Sequence, residues 1–444
     1  MSLEGDEKMS KEVDVIIAGT GLAGLYCALH LDDGLRVLLV TNSKLDDCNS
    51  YLAQGGITTV LNEKDKTLFI EDTMKAGMYK NKAEAVETVA EEAAINIEIL
   101  KEIGVPFDME DKSFHYTAEG GHSVNRIVHC ADRTGKMVFE TVLKSVQKKS
   151  NIQIYDETNL VDIISEGNNC YGVVLLNKGK PEIVYAKNTV LATGGIGGLF
   201  KKSTNQRCLK GIGVALALRH NIKIKDTEYI QYHPTGLYDP NHLEKYFLIS
   251  ESMRGEGAKL INVNGERFID ELLPRNVVTS AMLEEQKQTN TEYQYLDISF
   301  KEEEYIKNRF PLIYKECIER GIDITKQPIP VTPVQHYAMG GIDVDLNGKT
   351  SMNNLFACGE SSCTGLHGGN RMASNSLLEA LVFSRRAANE INRGIKSKKD
   401  SYHINEEAIT VEYLEKINQE NEKIILEHIK QVRGDLIYEL VEHR

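Results

Sequence analysis

The run VDVIIAGTGLAGLYCALHL (residues 13–31) decides how the rest of the chain is read. Its start is apolar apart from Asp14, its middle places glycines at 19, 21 and 24, and its remainder is again mostly apolar. This is a strand, a tight turn and a helix. The first glycine permits the turn, the second lets the backbone approach a pyrophosphate, and the third lets helix pack on strand, while the helix N-terminus favours negative charge. A second strand, RVLLVT (36–41), follows, so the chain opens as a doubly wound α/β domain that binds a dinucleotide. The acidic residue that normally ends this second strand and holds the adenosine ribose is replaced by Thr41-Asn42, with Lys44 and Asp46 close by. Ribose contacts have to come from other groups.

A chain of 444 residues with 41% hydrophobic content is long enough for two or three domains. Its formal charge of −13 argues against nucleic acid as a partner, because phosphate binding needs a basic face. An anionic substrate would need a local cationic pocket set against that field. No apolar run approaches the roughly 18 residues a membrane span needs, and the N-terminus (MSLEGDEKMSKE) carries no apolar leader, so a soluble cytoplasmic protein without a membrane partner is expected. The eight cysteines form no C-x-x-C pair and are read as free thiols, with no metal site.

Val86, Val89, Ala90, Ala93, Ile97, Leu100 and Ile103 recur at helical spacing, and Gly104 with Pro106 stops that helix. Strand-like runs at 151–156, 159–165, 170–176 and 183–193 suit a meander that extends the first sheet. The glycine-punctuated pattern stops at about 227 and returns with SMNNLFACGE (351–360). The predicted fold is α/β: a Rossmann-like dinucleotide-binding domain (1–226 and 337–394), an inserted α+β capping domain (227–336) and a short helical C-terminal region (395–444). In that tail Ile409, Val411, Leu414, Ile417, Ile424, Ile425 and Ile429 carry the helical period.

Two further strands run into glycines, VLATGG (190–195) and LFACGE (355–360). A NAD domain needs one such turn, whereas FAD is laid across several strand ends, so three favour FAD. In HGGNRMASNSLLEALVFSRRAA (367–388), Ser376 and Glu379 fit a capping box, and the helix they open would stabilise negative charge on a reduced flavin ring. The cap leaves Arg371 unexplained. The loops EGGHS (119–123), QYHPT (231–235), SESMRGEG (250–257), PRN (274–276) and QHY (335–337) set His, Arg or Glu beside Gly or Pro. Singly each reads as a surface turn. Arginines at three loop sites and histidines at two others point to a dicarboxylate beside FAD, since the guanidinium fork binds carboxylates bidentately.

With NSYLAQGGI (49–57), the stretches EGGHS, QYHPT, RGEGA, PRN, HYAMGG and TGLHGGNRMASNSLLE make residues 12–394 resemble the succinate dehydrogenase/fumarate reductase flavoprotein superfamily and, within it, the L-aspartate oxidase family. In the respiratory members a histidine five residues before the Gln of A-Q-G-G carries FAD covalently. Here that position is Asn49, which implies non-covalent FAD. The aspartate oxidases place a glutamate in E-G-G-H-S to meet the substrate's α-ammonium, and Glu119 matches; succinate has no such cation.

The resemblance implies oxidation of L-aspartate to iminoaspartate, with oxygen or fumarate as acceptor and transient transfer of the imine to quinolinate synthase in de novo NAD biosynthesis. By motif, Arg275 matches the family's proton donor/acceptor and Arg371 its carboxylate-binding arginine. His233, His336, Gln231 and Ser250 match other substrate contacts, with Arg254 and Ser374 beside them. For FAD the matching positions are Gly19, Gly21, Leu22, Ala23, Gly24, Lys44, Asn49, Ser50, Ala53, Gln54, Gly55, Gly56, Glu360, Ser376 and Leu377. Where the family often has an Asp contacting FAD in S-G-D-G-I, this chain reads Lys210-Gly211-Ile212-Gly213-Val214, and its tail is short for a three-helix domain. A soluble fumarate reductase, or a flavoprotein subunit of an electron-transfer complex, shares most of these features but leaves Glu119 or Asn49 without a reason.

Overall fold

The computed structural model describes residues 10–241, 245–395 and 402–441. Val15, Ile16, Ile17 and Ala18 are all buried, as are Val37, Leu38, Leu39 and Val40, because a parallel strand covered on both faces needs apolar residues at every position. Strand Ser10–Ala18 lies between Val37–Val40 and Lys180–Leu191, parallel to both, and Ile152–Tyr155 pairs in parallel outside Val37–Val40. Lys180–Leu191 is long enough for two partners on its far edge. Its first half pairs antiparallel with Asn169–Asn177, itself paired to Thr158–Glu166, and its last three residues pair in parallel with Leu355–Ala357.

The expected meander thus forms from three strands, while 151–156 joins the opposite edge of the sheet. That segment enters parallel to its neighbour after a long crossover containing helix Thr134–Gln147, whereas a meander strand arrives antiparallel through a short turn. Ala18 registers with Leu191, and Leu191 with Ala357, so the three glycine-bearing exits emerge side by side.

A second, antiparallel sheet runs in the order Ile230–Leu237, Ile329–Ala338, Gln294–Asp297, Lys259–Ile261. Helices Arg275–Thr289, Glu303–Arg309 and Pro311–Glu319 accompany it, and it has its own core around Leu260, Val278, Leu296, Phe310 and Val331. The helix expected at 84–103 forms over Ala83–Glu102 with Val86, Val89, Ala90, Ala93, Ile97 and Leu100 buried.

In the C-terminal region the helix Val411–Val432 buries Leu414 and Ile417 against Val161, Ile164 and Val174 of the first sheet, and Ile425 and Ile429 against Ile196, Phe200 and Val214. Ile409 and Ile424 are half-buried and Val411 is exposed. The parts of the predicted regions at 1–9, 242–244, 396–401 and 442–444 lie outside the described residues. Among the described residues no helix is long and apolar enough to cross a membrane, no cluster of three metal-ligating side chains occurs, and no cysteine is in a disulfide.

Candidate active site

A cavity of about 510 Å³ starts at the three strand exits and runs to residues of the second sheet and its helices. Gly19, Gly21, Leu22 and Ala23 line one side, facing Ala192, Thr193 and Gly194 and then Cys358, Gly359 and Glu360. Gly19 has φ of +115°, and a Cβ there would strike the Ala192 carbonyl, so the first two exits approach this closely only with glycine. The Leu22 backbone N–H donates to Ser50 Oγ at 3.1 Å, which docks the 49–52 turn against the start of the first helix. Asn49 is held on both sides of its amide: Nδ2 donates to Asn205 and to Glu360 at 3.4 Å, and Oδ1 accepts from the Gln206 N–H at 3.1 Å.

The donor set fits FAD. A helix N-terminus and a glycine cradle suit a pyrophosphate, and the cavity continues past Gln54, whose buried Oε1 has no hydrogen-bond partner among the described residues. Position 49 on this wall is a carboxamide, Asn49.

At the far end, buried cations and two buried carboxylates face each other. Arg275 opens its helix directly after Pro274; its Nε donates to Glu251 Oε2 at 2.5 Å and its Nη1 to Gln231 Oε1 at 2.9 Å. Arg254 Nη2 lies 3.2 Å from the same Glu251 oxygen, so three side chains form one chain of charge. Arg371 donates through Nη1 to Ser376 Oγ at 2.9 Å and stacks 4.6 Å from the centre of the Tyr337 ring, while its buried Nε has no hydrogen-bond partner among the described residues. His233 and His336 pack edge to face, 5.1 Å between ring centres. The Thr235 backbone N–H donates to His233 Nδ1 at 3.2 Å, so the neutral ring carries its proton on Nε2, a buried donor with no hydrogen-bond partner among the described residues. Glu119 Oε2 accepts from Ser374 Oγ at 2.5 Å, and a Cβ at Gly55 would occupy the space of the Glu119 carboxylate.

Burial, then the Arg275 guanidinium, holds both imidazoles well below their usual protonation range, so both are neutral N–H donors. Burial, then the neighbouring Arg275, pushes the Arg371 guanidinium down to about 10. Burial and then the Glu251 charge raise the Glu119 carboxyl. Burial also works against the Glu251 anion, but the Arg254 and Arg275 guanidiniums outweigh it and pull that carboxyl down. Glu360, half-buried on the cavity wall, is pushed up to about 7 by desolvation that its few donors do not offset.

The structure brings Arg275, Glu119, His233, His336, Arg371, Ser250 and Ser374 to one end of the cavity wall. Gln231 and Arg254 sit behind that wall. Gln231 has its amide committed to Arg275, Asn370 and the Arg371 carbonyl, and Arg254 to Glu251 and the Glu271 carbonyl. Both position groups that reach the cavity. Asn49, Ser50, Ala53, Gln54, Gly55, Gly56, Glu360, Ser376 and Leu377 line the cavity with the first glycine turn, whereas Gly24 packs under that turn and Lys44 is exposed off the wall.

The expected capping box does not form. Helix Asn375–Gly394 starts after Ser374 with no side-chain cap, Ser376 accepts from Arg371, and Glu379 turns inward to Thr364, Tyr337 and His367. Three buried donors outcompete one backbone N–H for a carboxylate. The helix N-terminus nevertheless lines the cavity through Ser374, Ser376 and Leu377. Sequence reading missed Glu251 and Tyr337; Glu251 stood in the SESMRGEG loop already singled out for charge, but nothing local marked it as the partner of Arg275. It also missed Asn418, Asn421 and Glu422 of the C-terminal helix, which line the cavity at its other end.

Residues 14–377 match the family described as FAD binding domain, so fold and cleft together are those of a flavoprotein oxidoreductase. The chain is 53% identical to an L-aspartate oxidase of Clostridium acetobutylicum over 438 residues, 98% of this chain and 100% of that one. It is 51% identical to an L-aspartate oxidase of Clostridium perfringens over 433 residues, 98% of each. Its structure is similar to a quinol-fumarate reductase with menaquinol molecules at a TM-score of 0.84, 29% identical and covering 95% of this chain and 76% of that one. The chain belongs to the L-aspartate oxidase family.

Proposed function

We propose that this protein oxidises L-aspartate to iminoaspartate with non-covalently held FAD, passing electrons to oxygen or fumarate. The observation that carries the reading is the Glu119 carboxylate, held by Ser374 at the same cavity end as Arg275, Arg371, His233 and His336. That end offers two cations and two neutral N–H donors for two carboxylates, and one anion for an ammonium. Succinate and fumarate satisfy the first set and leave the anion without a partner.

Arg371 and Arg275 grip the carboxylates while His233 and His336 donate N–H groups, which fixes Cα in one orientation and removes much of the entropic part of the barrier. Glu119 receives the ammonium. Because its proton affinity is raised, it accepts one proton from the nitrogen, whose lone pair then assists loss of the Cα hydrogen. FAD, when bound, supplies the acceptor for the hydride from Cα. In the fumarate direction Arg275 acts as the acid, and Glu251, which accepts from its Nε at 2.5 Å and pairs with Arg254 at 3.2 Å, holds the guanidinium in place.

In this reading 1–226 and 337–394 serve as the FAD domain and 227–336 as the cap over the substrate. The imine is handed to quinolinate synthase for de novo NAD biosynthesis in the cytoplasm. Anaerobic mixing with L-aspartate, with succinate in a parallel sample, tests the reading. Bleaching of the flavin band by aspartate alone is expected; bleaching by succinate alone would make the protein a dicarboxylate reductase instead.

A further inference from the structure

Two departures from the expected pattern meet the C-terminal helix at one place. The second strand ends in Thr41-Asn42 rather than an acidic residue, and the 210–214 turn carries Ile212 rather than Asp. Both positions line the cavity at the end away from Arg275 and Arg371, and so do Asn418, Asn421 and Glu422, which share one face of the C-terminal helix at spacings of three and four. That helix is seated firmly. Asn421 Nδ2 donates to the Val161 carbonyl at 2.9 Å and its Oδ1 accepts from Arg219 Nε at 3.1 Å, with Ile417 and Ile425 buried on either side. Glu422 Oε1 accepts from Lys210 Nζ at 2.6 Å, which brings the carboxylate to the 210–214 turn.

We propose that the C-terminal helix binds the adenosine half of FAD, with Glu422 accepting from the ribose hydroxyls and Asn418 beside it, in place of the acidic residue missing from the second strand. The assignment rests on the FAD reading of the cleft. A carboxylate has about four lone-pair sites, so Glu422 on the cavity wall can accept from a vicinal diol in addition to the contacts it makes within the protein. The other carboxylate on this stretch of wall, Asp47, accepts from Ser43 Oγ at 2.5 Å and so is turned back toward its own loop. The short tail thereby acquires a role as a wall of the cofactor site.

The test uses apoprotein of the full chain, wild type and the variants E422A, N418A and D47N, titrated with FAD, ADP and FMN by flavin fluorescence and calorimetry. FMN lacks the adenosine. E422A is expected to bind FAD and ADP roughly tenfold or more weakly, as for loss of hydrogen bonds to a charged group, with FMN affinity unchanged and N418A showing a smaller loss of the same pattern. Unchanged FAD affinity in E422A, an equal loss for FMN, or a loss confined to D47N would overturn the assignment. Wild-type apoprotein that fails to bind FAD would overturn the cofactor reading as well, which separates the two failures.

Discussion

Arg275 Nε donates to Glu251 Oε2 at 2.5 Å with both side chains inside the protein, and Glu251 is also the ion-pair partner of Arg254. One anion therefore compensates two buried guanidiniums. Substituting Glu251→Gln strands both and is expected to destabilise the fold by about 3–5 kcal/mol, whereas Arg275→Leu leaves Glu251 paired with Arg254 and is expected to cost less. Urea unfolding of the two variants compares them directly; a larger loss for Arg275→Leu would show that Glu251 is not shared.

The same Arg275→Leu substitution removes the proposed acid of the fumarate direction but no group on the FAD part of the wall. Fumarate reduction is expected to fall by about 10²–10⁴ while flavin content stays that of the wild type. Wild-type fumarate turnover in that variant defeats the assignment.

On the proposed reading, Glu119 tells apart substrates that differ by an ammonium. Glu119→Gln is expected to lower kcat/KM for L-aspartate by about 2–5 kcal/mol of transition-state stabilisation, because a buried charge loses its partner. The variant should bind succinate at least as well as the wild type does. Competition between aspartate and succinate, measured by spectral titration, checks this, and an unchanged preference would remove Glu119 from substrate recognition.

Glu360 sits on the cavity wall with its carboxyl pushed from the ordinary 4.5 up to about 7 by burial. A folded-state value above the unfolded one means that this group's contribution to stability is fully present below about 4.5 and is lost as pH rises through about 7. Flavin-free protein should lose thermal stability across that window, and Glu360→Gln should flatten the loss. An identical pH profile for wild type and variant would show that Glu360 does not titrate there.

Much of the site was legible in sequence because its residues stand in short loops beside Gly or Pro, where a buried charge has no local purpose. The loops 231–235, 250–257, 274–276 and 335–337 were named in this way, and the structure gathers His233, Ser250, Arg275 and His336 from them onto one wall. Glu379 shows the limit of that reading. Its spacing from Ser376 satisfies a local capping pattern, yet its carboxylate is taken by Tyr337, Thr364 and His367.

Sequence by itself determined the glycine-turned cleft and the break in pattern near residue 227, since unbroken apolar runs, turn glycines and changes of period are local properties that a buried parallel sheet requires in order. Tertiary structure alone decided which charged groups share a partner and which face the cavity. The pairing of Arg275 with Glu251, the retreat of Gln231 and Arg254 behind the wall, and the arrival of Glu422 beside Lys210 depend on elements packed from distant parts of the chain. A buried charge is satisfied by whatever the fold brings within hydrogen-bond reach, and sequence spacing does not encode that distance.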